Sequence, residues 1–376
     1  MAEAIKNVKV LQTIKESLDK NKISEIKATL EDLLSSSINI AVAGERGVEK
    51  MAFINAVRGL GDDEEGAAHP GGPDATKDPV VYPHPQQSEV RIWDLPPPQG
   101  DDFNPEEYLE RLRVHRYSAF IVTAAQSFQP SCASLWKEMH RTGKALYFIL
   151  LTTAKDSCQS LQEKKSSNVE SLKKGGVEAP AVFLVSGSAL EQLEFMDLLE
   201  VMEKEIPEIW MDALVISLPA FSVPMLRKKR AAFKAVVWTA ASLSGGVSAI
   251  PIPMVSSMVD KNMLVKILTK ARDCFGLDDR SLERLGKRVG RPVKELKAVW
   301  TSELSAEVSK DVVKKKLSAA EKEKATATKL LQATLKGSAK SATKSFTTMY
   351  LMLTTSLDEL EEDAVKMLQE AFGEKD

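Results

Sequence analysis

The sequence predicts an α/β domain built on a mainly parallel sheet with helices on both faces, together with an all-α domain. Up to residue 219, short apolar runs alternate with helix-like segments, which is typical of parallel strands covered by helices on both sides. From residue 220 onward, apolar residues recur at helical spacing and the strand rhythm ends. The predicted organisation is N-terminal helices over 1–36, the α/β domain over 37–219 and C-terminal helices over 220–376. The two helical regions together form the all-α domain.

Five strands are predicted from their apolar runs, at 38–43, 90–93, 119–123, 145–151 and 181–185. The first ends at Gly44 and leads into a helix predicted over 50–58, which is the start of a βαβ unit. Residues 61–85 are rich in Gly, Pro and acidic side chains, so we predict a mobile loop there. The apolar stretch 236–259 is interrupted by two glycines and two prolines, which favours a buried, broken helix pair over a membrane span.

Composition excludes several function classes. A formal net charge of -2 argues against broad electrostatic binding to nucleic acid. Three scattered cysteines and four scattered histidines show no zinc-ligand spacing. The odd cysteine count, without a signal peptide, predicts a cytosolic protein, and Ala2 offers no glycine for myristoylation. The basic run 227–230 is interpreted as a solvated helix face or C-terminal turn, with contact to anionic lipid or a partner as the alternative.

A partial phosphate-binding loop follows the first strand. The full pattern is G-x-x-x-x-G-K-[ST], in which backbone amides cradle phosphate, the lysine reaches the β- and γ-phosphates, and the hydroxyl ligates magnesium. Residues 44–51 read GERGVEKM, so Gly44 and Lys50 occupy the expected positions. Glu49 replaces the second glycine, and Met51 replaces the Ser or Thr.

These two replacements predict damaged chemistry. The β-carbon of Glu49 restricts the backbone, and its carboxylate brings negative charge towards a polyanion. Loss of the magnesium ligand at Met51 should impair catalysis more than binding. A purely structural turn is the alternative: Gly44 or Gly47 would serve only the backbone, and Lys50 would be a solvated residue in the first turn of the helix.

Two further GTPase motifs are also incomplete. Asp94, within IWDLPP at 92–97, matches the D-x-x-G motif, but Pro97 replaces its glycine and has no amide hydrogen for the γ-phosphate. The base-reading pattern N/T-K-x-D should follow the strand predicted at 145–151. There the sequence is TTAKD, and Lys155 and Asp156 are adjacent instead of two apart. Selectivity for guanine is therefore not predicted by this motif.

Four strings resemble the immunity-related, interferon-inducible GTPase family: GLGDDEEGAA at 59–68, YPHP at 82–85, IWDLP at 92–96 and FGLDD at 275–279. The similarity covers nearly the whole chain. It implies a Ras-like, P-loop G domain with a helical domain, and a role in cell-autonomous innate immunity. Members of the family bind GTP and GDP, self-associate through their G domains, and coat vacuole membranes around intracellular pathogens.

Carried over by position, the resemblance implies roles for eight residues and assigns no catalytic residue. The nucleotide-binding residues that it implies are Gly44, Gly47, Lys50, Thr76 of switch I, Lys155, Asp156 and Ser186. Asp94 would contact magnesium through a water molecule. The implied cofactor is GTP or GDP with Mg²⁺, although the eroded motifs are also compatible with no bound nucleotide.

Two functions remain open at this point. The first is a quasi-GTPase with impaired or absent hydrolysis that regulates or scaffolds active relatives. The second is a functional GTP-binding GTPase with an atypical loop, which self-assembles on intracellular membranes. Either way, the implied partners are other family members or a second copy through the G-domain face, and not nucleic acid. The implied location is the cytoplasm, with peripheral contact to intracellular or vacuolar membranes.

Overall fold

The computed structural model describes residues 24–26, 28–30, 37–44, 47–69, 78–100, 102–152, 158–245, 261–334 and 344–373. The chain divides into two compact units. One unit is Ser36–Pro219, and the other combines Met1–Ser35 with Ala220–Asp376.

The first unit contains a six-stranded sheet whose order is β2-β3-β1-β4-β5-β6. Its strands are β1 (Ile38–Gly44), β2 (Val80–Pro83), β3 (Val90–Leu95), β4 (Ala119–Ala124), β5 (Leu146–Thr152) and β6 (Val182–Ser186). Strand β2 pairs antiparallel with β3, and all other neighbours are parallel. The mainly parallel sheet confirms the predicted α/β fold class.

Helices cover both faces of this sheet. They are α1 (Val48–Val57), α2 (Pro105–Arg111), α3 (Pro130–Arg141), α4 (Cys158–Lys174), α5 (Phe195–Glu205) and α6 (Glu208–Ser217), with a 3-10 turn at Val114–Arg116. Ile40 and Val42 of β1 face the side of α1, α5 and α6. Ala41 and Ala43 of the same strand belong to the core formed with α2, α3 and α4. This alternation is the period of two expected of a strand buried on both faces.

The prediction of a loop over 61–85 is wrong for residues 80–83, whereas the other described residues of this range form turns and coil. Residues 80–83 form the edge strand β2, whose alternating, half-exposed pattern gives only a weak apolar signal. Before it, the buried side chain of Asn55 accepts from the Ala68 amide (2.6 Å) and donates to the Ala68 carbonyl (3.0 Å). Arg58 donates to the carbonyl oxygens of Gly66 (2.9 Å) and Pro83 (3.1 Å). The turn after α1 is therefore fastened to that helix.

In the second unit, the secondary structure of the described residues is helical, with no strand among them, as predicted. Its C-terminal part contains α7 (Val223–Ala232), α8 (Lys234–Gly245), α9 (Lys261–Cys274), α10 (Asp279–Val289), α11 (Val293–Ala298), α12 (Glu303–Ala306), α13 (Lys310–Thr334) and α14 (Lys344–Phe372). Of the predicted N-terminal helices, residues 24–26 and 28–30 are described and are helical, with Ile26 and Leu30 buried. The broken helix pair predicted at 236–259 lies partly outside the described residues.

Helix α14 is central to this unit. Trp238 of α8 packs against Phe346 and Tyr350 of α14, with ring centroids 5.3 Å and 5.6 Å away. None of the helices in the described part of the chain is both long and apolar enough to cross a membrane.

The basic run 227–230 is only partly solvated. Lys229 is completely buried, and Arg230 forms an ion pair with Asp358 of α14 at 2.8 Å. The interpretation as a solvated face is therefore wrong for Lys229. Because α7 packs against α14, the Lys229 side chain faces the helical core.

Candidate functional site

The carboxyl ends of the five parallel strands lie along one edge of the sheet. The strand order reverses at β1, which has β3 on one side and β4 on the other. In open α/β sheets, ligands bind outside the carboxyl ends of the strands at such a switch point. Gly44, Asp94 and Ser186 all lie at this edge, at or next to the ends of β1, β3 and β6.

Gly44 begins the turn between β1 and α1, and the fold itself requires glycine there. Its φ is +154°, and a Cβ would collide with the hydroxyl and the carbonyl oxygen of Thr123. Thr123 in turn donates to the Ala43 carbonyl at 3.3 Å, which ties β4 to the start of the turn. The need for glycine at this position is thus explained without phosphate.

Gly47 and Glu49 lie at the amino end of α1. Gly47 is the N-cap residue, with extended backbone and no side-chain cap. A β-carbon built on Gly47 would lie 3.3 Å from Oε2 of Glu49, so this carboxylate sits beside the loop. An acidic side chain in the first turn is favourable to the helix macrodipole. It also places negative charge where the amides of a phosphate loop would meet an anion.

Lys50 is turned inward and neutralised by another site residue. Its side-chain nitrogen lies 2.8 Å from Oδ1 of Asp94 and donates to the Gly44 carbonyl at 2.6 Å. Lys50 is 2% exposed and Asp94 is 1% exposed. The structural alternative that left Lys50 solvated is therefore wrong. The fold brings together two of the predicted site residues as a buried ion pair.

Met51, at the position of the magnesium ligand, points into the core and is 2% exposed. Magnesium takes oxygen ligands in a near-octahedral arrangement, and a thioether supplies none. The Asp94 carboxylate, which the motif would place near magnesium, is already paired with Lys50. Within the described residues, no group of three acidic, His or Cys side chains could hold a metal ion. This turn therefore does not fit Mg²⁺.

The proline run that follows β3 is anchored at both ends. The Tyr108 hydroxyl donates to the Pro96 carbonyl at 2.6 Å, and the Ser131 hydroxyl donates to the Pro98 carbonyl. Burial raises the pKa of Tyr108, so it keeps the proton that it donates. Pro97 lies between these anchors and has no N–H. The segment is held in place without the amide that would detect a γ-phosphate.

The far side of the edge is formed by β5 and β6. Ser186 is buried and lies opposite Thr152 in the register. A β-carbon on the next residue, Gly187, would lie 2.8 Å from the Glu49 carbonyl oxygen, so the end of β6 closely approaches the first turn of α1. Thr76, Lys155 and Asp156 lie outside the described residues.

Sequence reasoning missed four side chains that shape the site: Thr123, Thr152, Tyr108 and Ser131. Thr123 and Thr152 lie at or beside the ends of predicted strands, a position that marks the ligand edge of an α/β sheet and was available as a signal. Tyr108 and Ser131 reach the proline run from helices, and their contacts depend on tertiary packing that no local pattern reveals.

Comparison with known proteins identifies a family and relatives whose sequences are similar to this chain. Residues 5–371 match the family model described as interferon-inducible GTPase (IIGP). The interferon-inducible GTPase 5 of Bos taurus is 30% identical over 388 residues, covering 97% of this chain and 83% of the relative. The interferon-gamma-inducible GTPase 10 of Mus musculus is 34% identical over 316 residues, covering 80% of this chain and 75% of the relative.

Solved structures with a partial likeness include two proteins that are each 14% identical to this chain. An NFeoB protein of S. thermophilus bound to GDP·AlF4⁻ has a TM-score of 0.27, covering 62% of this chain and 99% of that one. A structure of an oligomerised bacterial dynamin pair has a TM-score of 0.37, covering 97% of this chain and 73% of that one.

Proposed function

The chain belongs to the interferon-inducible GTPase family, and on that premise we propose that it is a quasi-GTPase of innate immunity. Its GTP hydrolysis is impaired or absent, and it acts as a regulator or scaffold of active relatives. The observation that supports this most directly is the buried Lys50–Asp94 ion pair, with its 2.8 Å separation.

The ion pair bears on phosphate binding because it occupies the lysine that would reach the β- and γ-phosphates. Removing one partner from a buried pair typically costs about 3–5 kcal/mol, since the other charge is left without compensation. A phosphate must therefore compete with Asp94 for Lys50, and Glu49 adds a second negative charge beside the same loop. Both features weaken nucleotide affinity.

Hydrolysis is affected more strongly than binding. Magnesium neutralises charge that develops on the transferred phosphoryl group, and Met51 supplies no ligand for it. Pro97 supplies no amide to the γ-phosphate, and hydrogen bonds hold the carbonyl groups of Pro96 and Pro98 on either side of it. We therefore place no catalytic residue in this domain.

A bound nucleotide, if present, is GTP or GDP held without magnesium. Its phosphates would meet the backbone of Gly44 and Gly47 and the Lys50 side chain, with Thr76 in switch I. Lys155, Asp156 and Ser186 are the proposed remnants of base recognition. A functional GTP-binding protein is the second candidate, and the position of Gly44 and Asp94 at the switch point of the sheet supports it.

The proposed partners are other members of the family or a second copy of this chain, bound through the G-domain face. The proposed location is the cytoplasm, with peripheral contact to intracellular or vacuolar membranes.

The first test is a titration of the full-length protein with fluorescent GDP and GTP analogues, with and without Mg²⁺ and with ATP as competitor. We expect weak binding or none, no dependence on magnesium, and no hydrolysis above buffer in a parallel phosphate-release assay. Hydrolysis at a rate typical of small GTPases would overturn the proposal. Loss of any observed binding in Lys50→Ala, with circular dichroism showing that the variant is folded, would assign that binding to this site.

A matched pair of variants separates motif erosion from simple instability. The triple variant Glu49→Gly, Met51→Ser and Pro97→Gly restores the missing groups, whereas Met51→Leu keeps the core apolar and restores nothing. We expect tighter, magnesium-dependent binding of GDP only in the triple variant. Circular dichroism checks that both variants fold.

The regulatory part of the proposal has its own readout. An active relative is assayed for GTP hydrolysis and for assembly by light scattering, with increasing amounts of this chain. We expect a change in the relative's rate or assembly that saturates with concentration. An unchanged rate together with unchanged scattering would leave the scaffold role without support.

A further inference from the structure

The helical unit contains a buried pair of nucleophilic side chains that the proposed function does not use. Lys229, on α7, is 0% exposed, and Cys274, the last residue of α9, is 6% exposed. The lysine nitrogen lies 3.6 Å from the cysteine sulfur and donates to it. The two residues are 45 positions apart in sequence, so the fold creates this contact.

The surroundings make the charged form of the amine less favourable than it is in water. Burial lowers the pKa of Lys229, and the nearby Cys274 only partly opposes this shift. Burial raises the pKa of Cys274, whereas Lys229 and Lys270 act in the opposite direction and Asp273 reinforces the rise. Burial also lowers the pKa of Lys270. A neutral amine carries a free electron pair, which an ammonium does not.

We propose that Lys229 and Cys274 form an oxidation site in which a hydroperoxide joins their side chains by a nitrogen–sulfur bond. In the first step, the thiol sulfur attacks one peroxide oxygen and the O–O bond breaks. The products are a sulfenic acid on Cys274 and one water or alcohol, with the thiol proton leaving on the departing oxygen. Sulfur is oxidised and the peroxide is reduced.

In the second step, the lysine nitrogen attacks the sulfenic sulfur. The N–S bond forms, the S–O bond breaks, and the hydroxyl group leaves as water with a proton from the amine. Sulfenic acids condense in this way with nitrogen as well as with thiols. Overall the protein loses two hydrogen atoms, and a thiol reductant reverses the change by attacking the sulfur.

The geometry supports an amine partner over a second thiol. Cys132 lies in the other compact unit, buried in the core of the α/β sheet and its helices. Cys274 is only 6% exposed, which disfavours attack on it by the thiol of another protein. The flexible four-carbon stem of Lys229 can close the remaining gap to bonding distance. The resulting link would staple α7 to the end of α9.

The test uses the full-length protein treated with hydrogen peroxide, followed by intact mass measurement and peptide mapping. We expect a loss of two hydrogen atoms (about 2 Da) and one cross-linked peptide pair containing Lys229 and Cys274. Dithiothreitol should restore the original mass and separate the peptides. Because the readout is a mass, its failure is distinguishable from failure of the quasi-GTPase proposal.

Two variants identify which lysine nitrogen forms the cross-link. Lys229→Met keeps the buried apolar stem and removes the amine, so the cross-link should vanish and Cys274 should gain oxygen only. Lys270→Met removes the neighbouring amine and should leave the cross-link in place. The inference is overturned if wild-type protein gains oxygen at Cys274 without any cross-link, or if the mapped nitrogen is not that of Lys229.

Discussion

Each of the two units buries an aspartate, and the two carboxylates are neutralised in different ways. In the α/β unit, Asp94 faces the Lys50 ammonium at 2.8 Å. In the helical unit, Asp363 of α14 is 0% exposed and accepts hydrogen bonds from neutral donors, while the Lys366 ammonium lies farther away, at 3.9 Å. The donors are the Thr301 amide (2.9 Å), the Ser302 amide (2.9 Å) and the hydroxyls of Thr301 (2.8 Å) and Ser305 (2.7 Å).

The two arrangements have different consequences for function. The donors around Asp363 lie at the start of α12, so this carboxylate fixes a chain segment and has a structural role. Asp94 instead engages the one side chain that the motif reserves for phosphate. Under the proposed function, this ion pair must break before Lys50 can reach a phosphate, and breaking a buried ion pair is costly.

The largest effect is expected from breaking the ion pair. Lys50→Met leaves Asp94 buried without its cation and should lower the free energy of unfolding by about 3–5 kcal/mol. Urea denaturation measures the change. Adding Asp94→Leu to Lys50→Met should recover much of the loss, because the uncompensated charge is gone. Equal stability of wild type and Lys50→Met would show that the pair does not stabilise the fold.

Removing the other carboxylate tests the neutral arrangement. Asp363→Ala leaves buried amides and hydroxyls without their acceptor and should cost about 3 kcal/mol. Burial alone would raise the pKa of Asp363, but hydrogen bonds from Ser305, Ser302 and Thr301 hold it below its usual value of 3.8. The folded-state pKa is lowered, so this stabilisation is complete above pH 3.8 and is lost as the pH falls through the folded-state pKa. The difference between wild type and variant should therefore shrink in acid denaturation curves.

Asp212 of α6 extends the comparison, because every group that shifts its pKa acts in the same direction as burial. Burial, with Glu208 and Glu203, raises its pKa to about 8. Its contribution to stability is complete below pH 3.8 and is lost as the pH rises through 8. Asp212→Asn should therefore stabilise the protein by about 1 kcal/mol or more at pH 8, and by less at pH 5. The exposed Glu200→Gln serves as the control, and an equal gain at both pH values would contradict the assignment.

The smallest effect belongs to an ion pair near the surface. Arg230 and Asp358 lie 2.8 Å apart, with the Asp358 side chain 58% exposed. Arg230→Ala should change the free energy of unfolding by about 0.2–1 kcal/mol, and salt should reduce the difference. If Arg230→Ala lowers the free energy of unfolding as much as Lys50→Met does, the contrast between buried and exposed ion pairs does not hold in this protein.

Local pattern predicted much of the fold. All five predicted strands are present, because parallel strands buried on both faces are continuous apolar runs that short-range pattern detects. Strand β2 was missed because an edge strand with alternating exposure has no such run. The Gly44 turn was recognised from its motif. The burial of Lys229 was not predicted, since a charged residue within a basic run gives no local sign that its side chain faces inward.

The site was predictable as a list of residues but not as an arrangement. The sequence assigned Lys50 to phosphate and Asp94 to magnesium, each from its own motif. Their ion pair depends on the register in which Val42 lies opposite Asp94, and no single segment contains that information. The anchoring of the proline run by Tyr108 and Ser131 is a similar long-range outcome.

The anchored proline run also bears on how this molecule could carry information. A GTPase switch signals because a segment has two positions and the nucleotide selects between them. The run after β3 is held by hydrogen bonds at Pro96 and at Pro98, and Pro97 between them has no amide for a γ-phosphate. Under the proposed function, a partner that binds this segment therefore receives no signal from the nucleotide. The amount of complex would then follow the concentrations of the two proteins.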